Sequence, residues 1–344
     1  MPETPHALAD YGWNDRWAAV AADQQSLTST PARVLRHDGH AVLVGGDDGV
    51  RQVHLRKVFP PVAVGDFVLV DGEVVVQILD RQGLLQRASA DGSAAQPIAA
   101  NVDVVAIVCG LDRPLRTGRI ERFVTLAWDS GSVPLVVLTK ADLADDIDAA
   151  VTAAMSAAPG AEVLAVSSAA VTGLDELRGL LADRTVVFVG ESGAGKSSLL
   201  NALAGSDLMK TGVVRRGDHK GHHTTTAREL HVLAGGIRVI DTPGVRAVGL
   251  WTDAATVDSV FDEITDLAAE CRFADCAHDT EPGCAVRHAV ESGALSGDRF
   301  GSWQRLRREA ASAELRADAR ASRAANRRFG KMVKEAVKDK RPDR

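Results

Sequence analysis

Apolar residues follow two different rhythms along this chain. Between residues 30 and 80 they come in short runs broken by turn sequences. The runs are ARVLRH (32–37), HAVLVG (40–45), VRQVHLRK (50–57), GDFVLVD (65–71) and EVVVQILD (73–80), and the breaks are DG, GGDDG, PPVAVG and DG. Five closely spaced strands predict a small β-barrel, with an OB-fold as the leading candidate and an SH3-like barrel as the alternative. Beyond residue 101 the runs become continuously apolar: VDVVAIVCG, VPLVVLT, EVLAVS, TVVFVG and IRVIDT. Helical stretches such as 118–131 and 144–158 separate several of them, which predicts buried strands in a largely parallel α/β sheet. The stretch YGWNDRWAAVAADQQ reads as a short helix or arm. The Ala-, Ser- and Gly-rich segment at 81–101 reads as a linker, and 251–344 as mainly helical.

The strongest chemical signal is VVFVGESGAGKSSLLNAL. A strand ends at Val189, and Gly190, Glu191, Ser192, Gly193, Ala194, Gly195, Lys196 and Ser197 match G-x-x-x-x-G-K-[ST] ahead of an amphipathic helix that includes Ser198. Such glycines let backbone N–H groups curl around phosphate oxygens at a helix N-terminus. Lys196 is then expected to neutralise β- and γ-phosphate charge, and Ser197 to ligate Mg²⁺. VVLTKAD ends a buried strand in Thr139-Lys140-Ala141-Asp142, the pattern of guanine recognition. There Asp142 would accept from the guanine N1 and N2 donors and Lys140 would lie along the base. Ser167 and Ser168, at the end of AVSS, suit a second base-binding loop. Asp241 in IDTPG is expected to hold Mg²⁺ through water, and Gly244 to donate to the γ-phosphate. GHHTTT offers Thr224, Thr225 and Thr226 as a first switch, with His223 as a candidate catalytic helper. Val245 stands where many GTPases carry the glutamine that orients water, so intrinsic hydrolysis is expected to be slow.

These motifs come in an unusual order. Guanine recognition precedes the phosphate loop, which marks a circular permutation. It also leads the chain from a second switch after Gly244 straight into the C-terminal region. There CRFADCAHDTEPGC supplies Cys271, Cys276, His278 and Cys284, a Cys3His set suited to one structural zinc ion. C-x-x-C, the usual redox spacing, is absent.

Composition adds three points. The 344 residues are 45% hydrophobic, 25% charged and 4% aromatic, as in a soluble globular chain whose core rests on Val, Leu, Ile and Ala. No run of about 18 apolar residues predicts a membrane span, the N-terminus lacks the pattern of a secretory signal, and four cysteines do not make a disulfide framework. A cytoplasmic location is expected. The net charge of −6 is uneven: residues 305–344 hold 14 Lys/Arg against 6 Asp/Glu, a local +8 that leaves −14 elsewhere. Such a tail suits a polyanion.

Barrel, permuted motifs and Cys3His set, with NVDVV, TKAD, GESGAGKSSLLNAL, GHHTTT and DTPGVRAVGLW, together resemble the ribosome small subunit biogenesis GTPase (RsgA) family. The resemblance covers about residues 30–330. It implies a multidomain chain: an arm (1–30), an OB-fold β-barrel (31–85), a linker (86–101), a circularly permuted α/β P-loop GTPase (102–250) and a mainly helical zinc-binding domain with a basic tail (251–344). It further implies GTP and GDP as ligands with Mg²⁺ and one Zn²⁺. The partners it implies are the small ribosomal subunit and its rRNA, with subunit-stimulated hydrolysis late in maturation, by a monomer with no membrane contact. Other readings of the same residues are a P-loop ATPase or kinase, a non-catalytic RNA-binding module, or a permuted GTPase with another RNA or ribosomal target.

Overall fold

The computed structural model describes residues 7–24, 28–56, 60–88, 95–206, 228–241 and 253–316. Contacts divide the chain into two units, one of residues 1–86 and 97–248, the other of 87–96 and 249–344.

In the first unit, β1 (Thr30–His37), β2 (Ala41–Gly46), β3 (Gly49–His54), β4 (Phe67–Asp71) and β5 (Val74–Ile78) close into a barrel of order β1-β2-β3-β5-β4-β1. Every pairing is antiparallel except β3–β5. Alternation places Val34, Val42, Val44, Val53, Val68, Val70 and Val75 in one buried cluster. The expected arm is helix α1 (Asp15–Ala22), capped by the Asn14 side chain. It buries Trp17 against Phe67, and Leu8 joins the same cluster. Gly45 makes room for the arm, because a Cβ there would meet the Tyr11 ring at 2.4 Å.

The segment read as a linker instead forms two paired strands, β6 (Leu84–Ala88) and β7 (Ala95–Ala100). Its alanines hid the pattern, but Leu85, Ile98, Ala99 and Ala100 are fully buried. Small side chains permit close backbone approach here. Ala99 bridges to Val64, and a Cβ on Gly65 would strike the Ala100 carbonyl oxygen at 2.3 Å.

The α/β part carries β8 (Val104–Gly110), α2 (Thr117–Asp129), β9 (Val133–Thr139), α3 (Ile147–Ala157), β10 (Glu162–Ala165), α4 (Leu174–Leu181), β11 (Thr185–Gly190), α5 (Lys196–Ala204), β12 (Glu229–Val232) and β13 (Arg238–Asp241). Sheet order is β10-β9-β8-β11-β13-β12, parallel up to β13 and antiparallel at β12. One sheet face packs on Leu174, Leu177 and Leu181 of α4 and Leu199, Leu200 and Leu203 of α5, and the alternate positions Val105, Ile107, Val136 and Leu138 are buried as well, so the strands are apolar on both faces. Strand β12, which the sequence pattern did not predict, also meets β1 at Arg36↔Glu229, so barrel and α/β sheet form one 11-stranded sheet.

Arg33 lies at this junction with 1% exposure. Its guanidinium donates to the carbonyls of Tyr11, Gly65 and Asn101 and to the Thr185 hydroxyl, and stands 4.7 Å over the Phe67 ring. Burial, then the charge of Arg238, pulls its pKa down to about 9, while Asp103 and Asp66 oppose the shift. It is still a cation at neutral pH.

The second unit contains α6 (Ala254–Val260), α7 (Asp262–Ala269), α8 (Ala285–Ser292) and a further helix over 297–316. Arg299 binds Glu263 at 2.5 Å, donates to the Val260 carbonyl at 2.8 Å and covers the Phe261 ring, tying three of these helices together.

Candidate functional site: a nucleotide cradle and a metal cluster

The parallel strands end together on one edge. Register pairs Gly110 with Thr139, Ala165 with Leu138, and Gly190 with Val108, while β13 ends at Asp241 beside β11. Ligands of open parallel sheets bind at such carboxyl ends. The phosphate loop runs from Gly190 to the first turn of α5 at Lys196. Gly190, Gly193 and Gly195 have φ of 141°, 76° and 92°, which only glycine adopts without strain. At Gly190 a Cβ would also lie 2.2 Å from the Val108 carbonyl oxygen. Lys196 Nζ donates to the carbonyls of Gly190 (2.8 Å) and Glu191 (2.6 Å), so the loop curls round its ammonium. Ser192, Ser197 and Ser198 are exposed.

Two hydrogen bonds lash the guanine motif to this loop. The buried Thr139 hydroxyl donates to the Ala194 carbonyl at 2.5 Å, and Lys140 Nζ to the Gly193 carbonyl at 2.7 Å. Ala141 is buried and its N–H donates to the Val166 carbonyl, while Asp142 is exposed. Ser167 Oγ donates to Asp142 Oδ1 at 2.5 Å and accepts from the Ala170 N–H, which aims the carboxylate; Ser168 is half-buried beside it. The structure thus brings together 139–142, 167–168, 190–198 and the strand end bearing Asp241. His223, Thr224, Thr225, Thr226, Gly244 and Val245 lie outside the described residues.

Sequence reasoning missed a charged rim. Glu191 is clasped by Arg113 (3.8 Å), Arg116 (3.4 Å) and Arg119. Asp112 accepts from Arg113 (3.0 Å) and from Lys140 Nζ (2.8 Å), and these bonds hold its carboxyl down at about 2. The available signal was position, since LDRPLR directly follows a buried strand at the ligand edge. Cys109 is half-buried at that strand's end, and burial pushes its thiol up to about 12.

In the second unit, ligand atoms of Cys271, Cys276, His278 and Cys284 lie within 4.8 Å of one another. Cys271 Sγ is 3.9 Å from Cys284 Sγ, and His278 Nδ1 is 3.5 Å from each. Tetrahedral zinc with bonds of about 2.3 Å to sulfur and about 2.05 Å to nitrogen has edges of about 3.8 and about 3.6 Å, so Cys271, Cys284 and His278 match three corners of that ion's shell, and Cys276 lies near enough to supply the fourth. Three supports fix the loop. The Cys284 sulfur accepts from the Arg287 N–H at the start of α8. Trp303 packs on the His278 ring at 5.6 Å. Glu281 takes N–H bonds from Ala277, Asp279 and Thr280, and its own backbone N–H, followed by those of Asp279 and Ala277, pulls its carboxyl down to about 2.

Comparison with known proteins agrees with this geometry. The family model described as RsgA GTPase matches residues 78–251. A curated relative from Streptomyces coelicolor, named small ribosomal subunit biogenesis GTPase RsgA, is 43% identical over 97% of this chain and 96% of its own length. The chain belongs to the RsgA GTPase family. Another RsgA relative, RsgA 2 of Vibrio parahaemolyticus, is 38% identical over 98% of this chain and 95% of its own. Among solved structures, YjeQ from Thermotoga maritima superposes with a TM-score of 0.62 at 26% identity, covering 82% of this chain and 98% of its own. YloQ, titled a circularly permuted GTPase, gives 0.57 at 24% identity over 84% and 97% and shares the fold. The RsgA motif order is therefore permuted on an intact GTPase sheet, with β8, β9 and β10 preceding the phosphate-loop strand β11. No helix among the described residues is long and apolar enough to cross a membrane.

Proposed function

We propose that this GTPase couples GTP hydrolysis to late maturation of the small ribosomal subunit, which it binds through its rRNA. The observation that carries the nucleotide reading is the double tie between Thr139-Lys140 and the carbonyls of Ala194 and Gly193, which fixes a base-reading motif beside a phosphate loop. The names of the RsgA relatives carry the subunit reading.

In this reading Asp142, aimed by Ser167, accepts from guanine N1 and N2, an interaction adenine cannot make. Ser168 closes the base pocket, and Lys140 with Ala141 lines it. N–H groups of residues 190–198 wrap the phosphates. The Lys196 ammonium exchanges its two loop carbonyls for phosphate oxygens, a change from neutral to charge-assisted bonds. Ser197, Asp241 and one of Thr224, Thr225 and Thr226 hold Mg²⁺, which neutralises phosphate charge. Gly244 donates to the γ-phosphate. Water attacks the γ-phosphorus, the bond to the β-phosphate oxygen breaks, and GDP and phosphate leave. The Val245 side chain offers the water no hydrogen bond, so turnover is slow until the subunit supplies or orders a helper, with His223 the candidate within the chain. One Zn²⁺ on Cys271, Cys276, His278 and Cys284 is structural, because four protein donors leave no open position. The basic segment 305–344 contacts rRNA phosphates and makes binding salt-sensitive. The protein acts as a cytoplasmic monomer.

Phosphate release from GTP and ATP, with Asp142→Asn alongside, tests the site. The expected results are guanine-selective turnover and loss of that selectivity in the variant; equal use of both nucleotides by the wild-type chain refutes it.

A further inference from the structure

Nothing in the motifs accounts for Asp112, which stands two residues past the end of β8, outside the phosphate loop and the guanine motif. Its Oδ2 lies 2.8 Å from Lys140 Nζ, and the same ammonium donates to the Gly193 carbonyl at 2.7 Å. Lys140 itself sits in the left-handed region (φ 58°, ψ 38°). Both side chains are about a quarter exposed, at 26% and 29%, on the nucleotide edge of the sheet.

The neighbourhood is shaped around this carboxylate. A Cβ on Gly110 would lie 2.7 Å from Asp112 Oδ1, so a side chain there would displace the carboxylate. Arg113 grips both oxygens, with Nε to Oδ1 at 3.2 Å and Nη2 to Oδ2 at 3.0 Å, and shares Oδ2 with the lysine. Held by two cations, the carboxyl stays ionised throughout the neutral range. It is a fixed negative charge facing the lysine.

We propose that Asp112 is the positioning residue for guanine binding: it holds the Lys140 ammonium against the Gly193 carbonyl in the free protein, so that the lysine stem is already laid out as a shelf when the base arrives. The proposal rests on the reading of Lys140 as a base-lining residue. A lysine side chain loses about 2 kcal/mol of rotamer freedom when it is immobilised. In this chain that loss is taken in folding, not in binding, which is how preorganisation raises affinity. Asp112 touches neither base nor phosphate. It acts through Lys140 alone, and its loss is felt in nucleotide affinity and not in the hydrolytic step.

GDP affinity of the full-length protein, read with a fluorescent GDP, and steady-state GTP hydrolysis test this in Asp112→Ala, Asp112→Asn, Lys140→Ala and the double Asp112→Ala/Lys140→Ala. Because the pair is partly exposed, Asp112→Ala should weaken GDP about five- to tenfold, with KM for GTP raised alike and kcat unchanged. Asp112→Asn, whose amide oxygen still accepts from Lys140, should recover most of the affinity. The double variant should bind no worse than Lys140→Ala, because the aspartate has nothing left to position. Gly110→Ala should reproduce the KM rise by displacing the carboxylate, a check independent of how Asp112→Ala folds. Wild-type affinity in Asp112→Ala with weakened binding in Lys140→Ala, or additive losses in the double variant, overturns the proposal while leaving the guanine site standing. Wild-type affinity in Lys140→Ala overturns both.

Discussion

Replacing Arg33 by methionine opposes two large effects, and the structure decides between them. Methionine keeps much of the volume and removes a buried charge whose desolvation, with the nearby Arg238, already works against it. It also strips donors from four acceptors on four separate segments. The Gly65 carbonyl keeps the Asn101 side-chain amide at 3.1 Å, and Thr185 can rotate its hydroxyl, but the carbonyls of Tyr11 and Asn101 lose their guanidinium partner. Each buried acceptor deprived of its partner costs about 1–3 kcal/mol, and the cation over Phe67 adds about 1 kcal/mol. Relief of desolvation offsets part of this, and water entering the polar hollow lined by Asn14, Asn101, Asp103 and Arg238 offsets more. The net loss is about 2–3 kcal/mol. For a unit of this size that lowers the melting temperature by about 4–12 °C. Differential scanning calorimetry with chemical denaturation reads it, and Arg33→Lys, which keeps the charge and fewer donors, should fall between. A melting temperature at or above wild type in Arg33→Met would show that desolvation dominates and that the junction is held by β1–β12 pairing and apolar packing without Arg33.

Three further outcomes follow from the geometry. Cys276→Ser should abolish the one-per-chain zinc stoichiometry and the cooperative unfolding of the second unit while GDP still binds, as elemental analysis and calorimetry would show; retained zinc contradicts a Cys3His ligand set. Gly190→Ala should cut GDP affinity by about 100-fold or more in a titration, because a Cβ 2.2 Å from the Val108 carbonyl oxygen and a φ of 141° cannot both be accommodated without moving the loop. Asp112 has a depressed pKa, so its contribution is complete above the ordinary value of 3.8 and is lost as pH falls through about 2; GDP affinity should show no inflection from this group between about pH 5 and about pH 8.

The sequence reveals most where chemistry forces a residue type at a fixed spacing. Glycines at 190, 193 and 195 are needed for positive φ, and strand–loop–helix order follows from the apolar run before them and the leucines after. Three cysteines and a histidine in fourteen positions announce a common centre for the same reason. What stayed hidden depends on tertiary neighbours. Arg33 and Arg36 occupy the same strand run, yet one is buried and the other pairs at the surface with Asp38. Nothing in ARVLRH distinguishes them, since the acceptors of Arg33 come from residues up to 152 positions away. β12 is four residues long with one buried position, too short for an alternating pattern to stand out. The pairing of β6 and β7 was masked by alanines, whose burial here reflects close backbone approach and not side-chain bulk. A lone Asp112 in a loop acquires meaning only when Lys140 folds over to meet it.

The central claim is that one permuted nucleotide site is coupled to one ribosomal particle. The direct measurement is sedimentation of the full-length protein with purified small and large ribosomal subunits, each with GDP and with a non-hydrolysable GTP analogue, with GTP turnover assayed on the same samples. The account predicts co-sedimentation with the small subunit in the GTP-analogue state, weaker binding with GDP, and turnover raised well above the subunit-free rate. Equal binding to both subunits, or turnover indifferent to the small subunit, would contradict it.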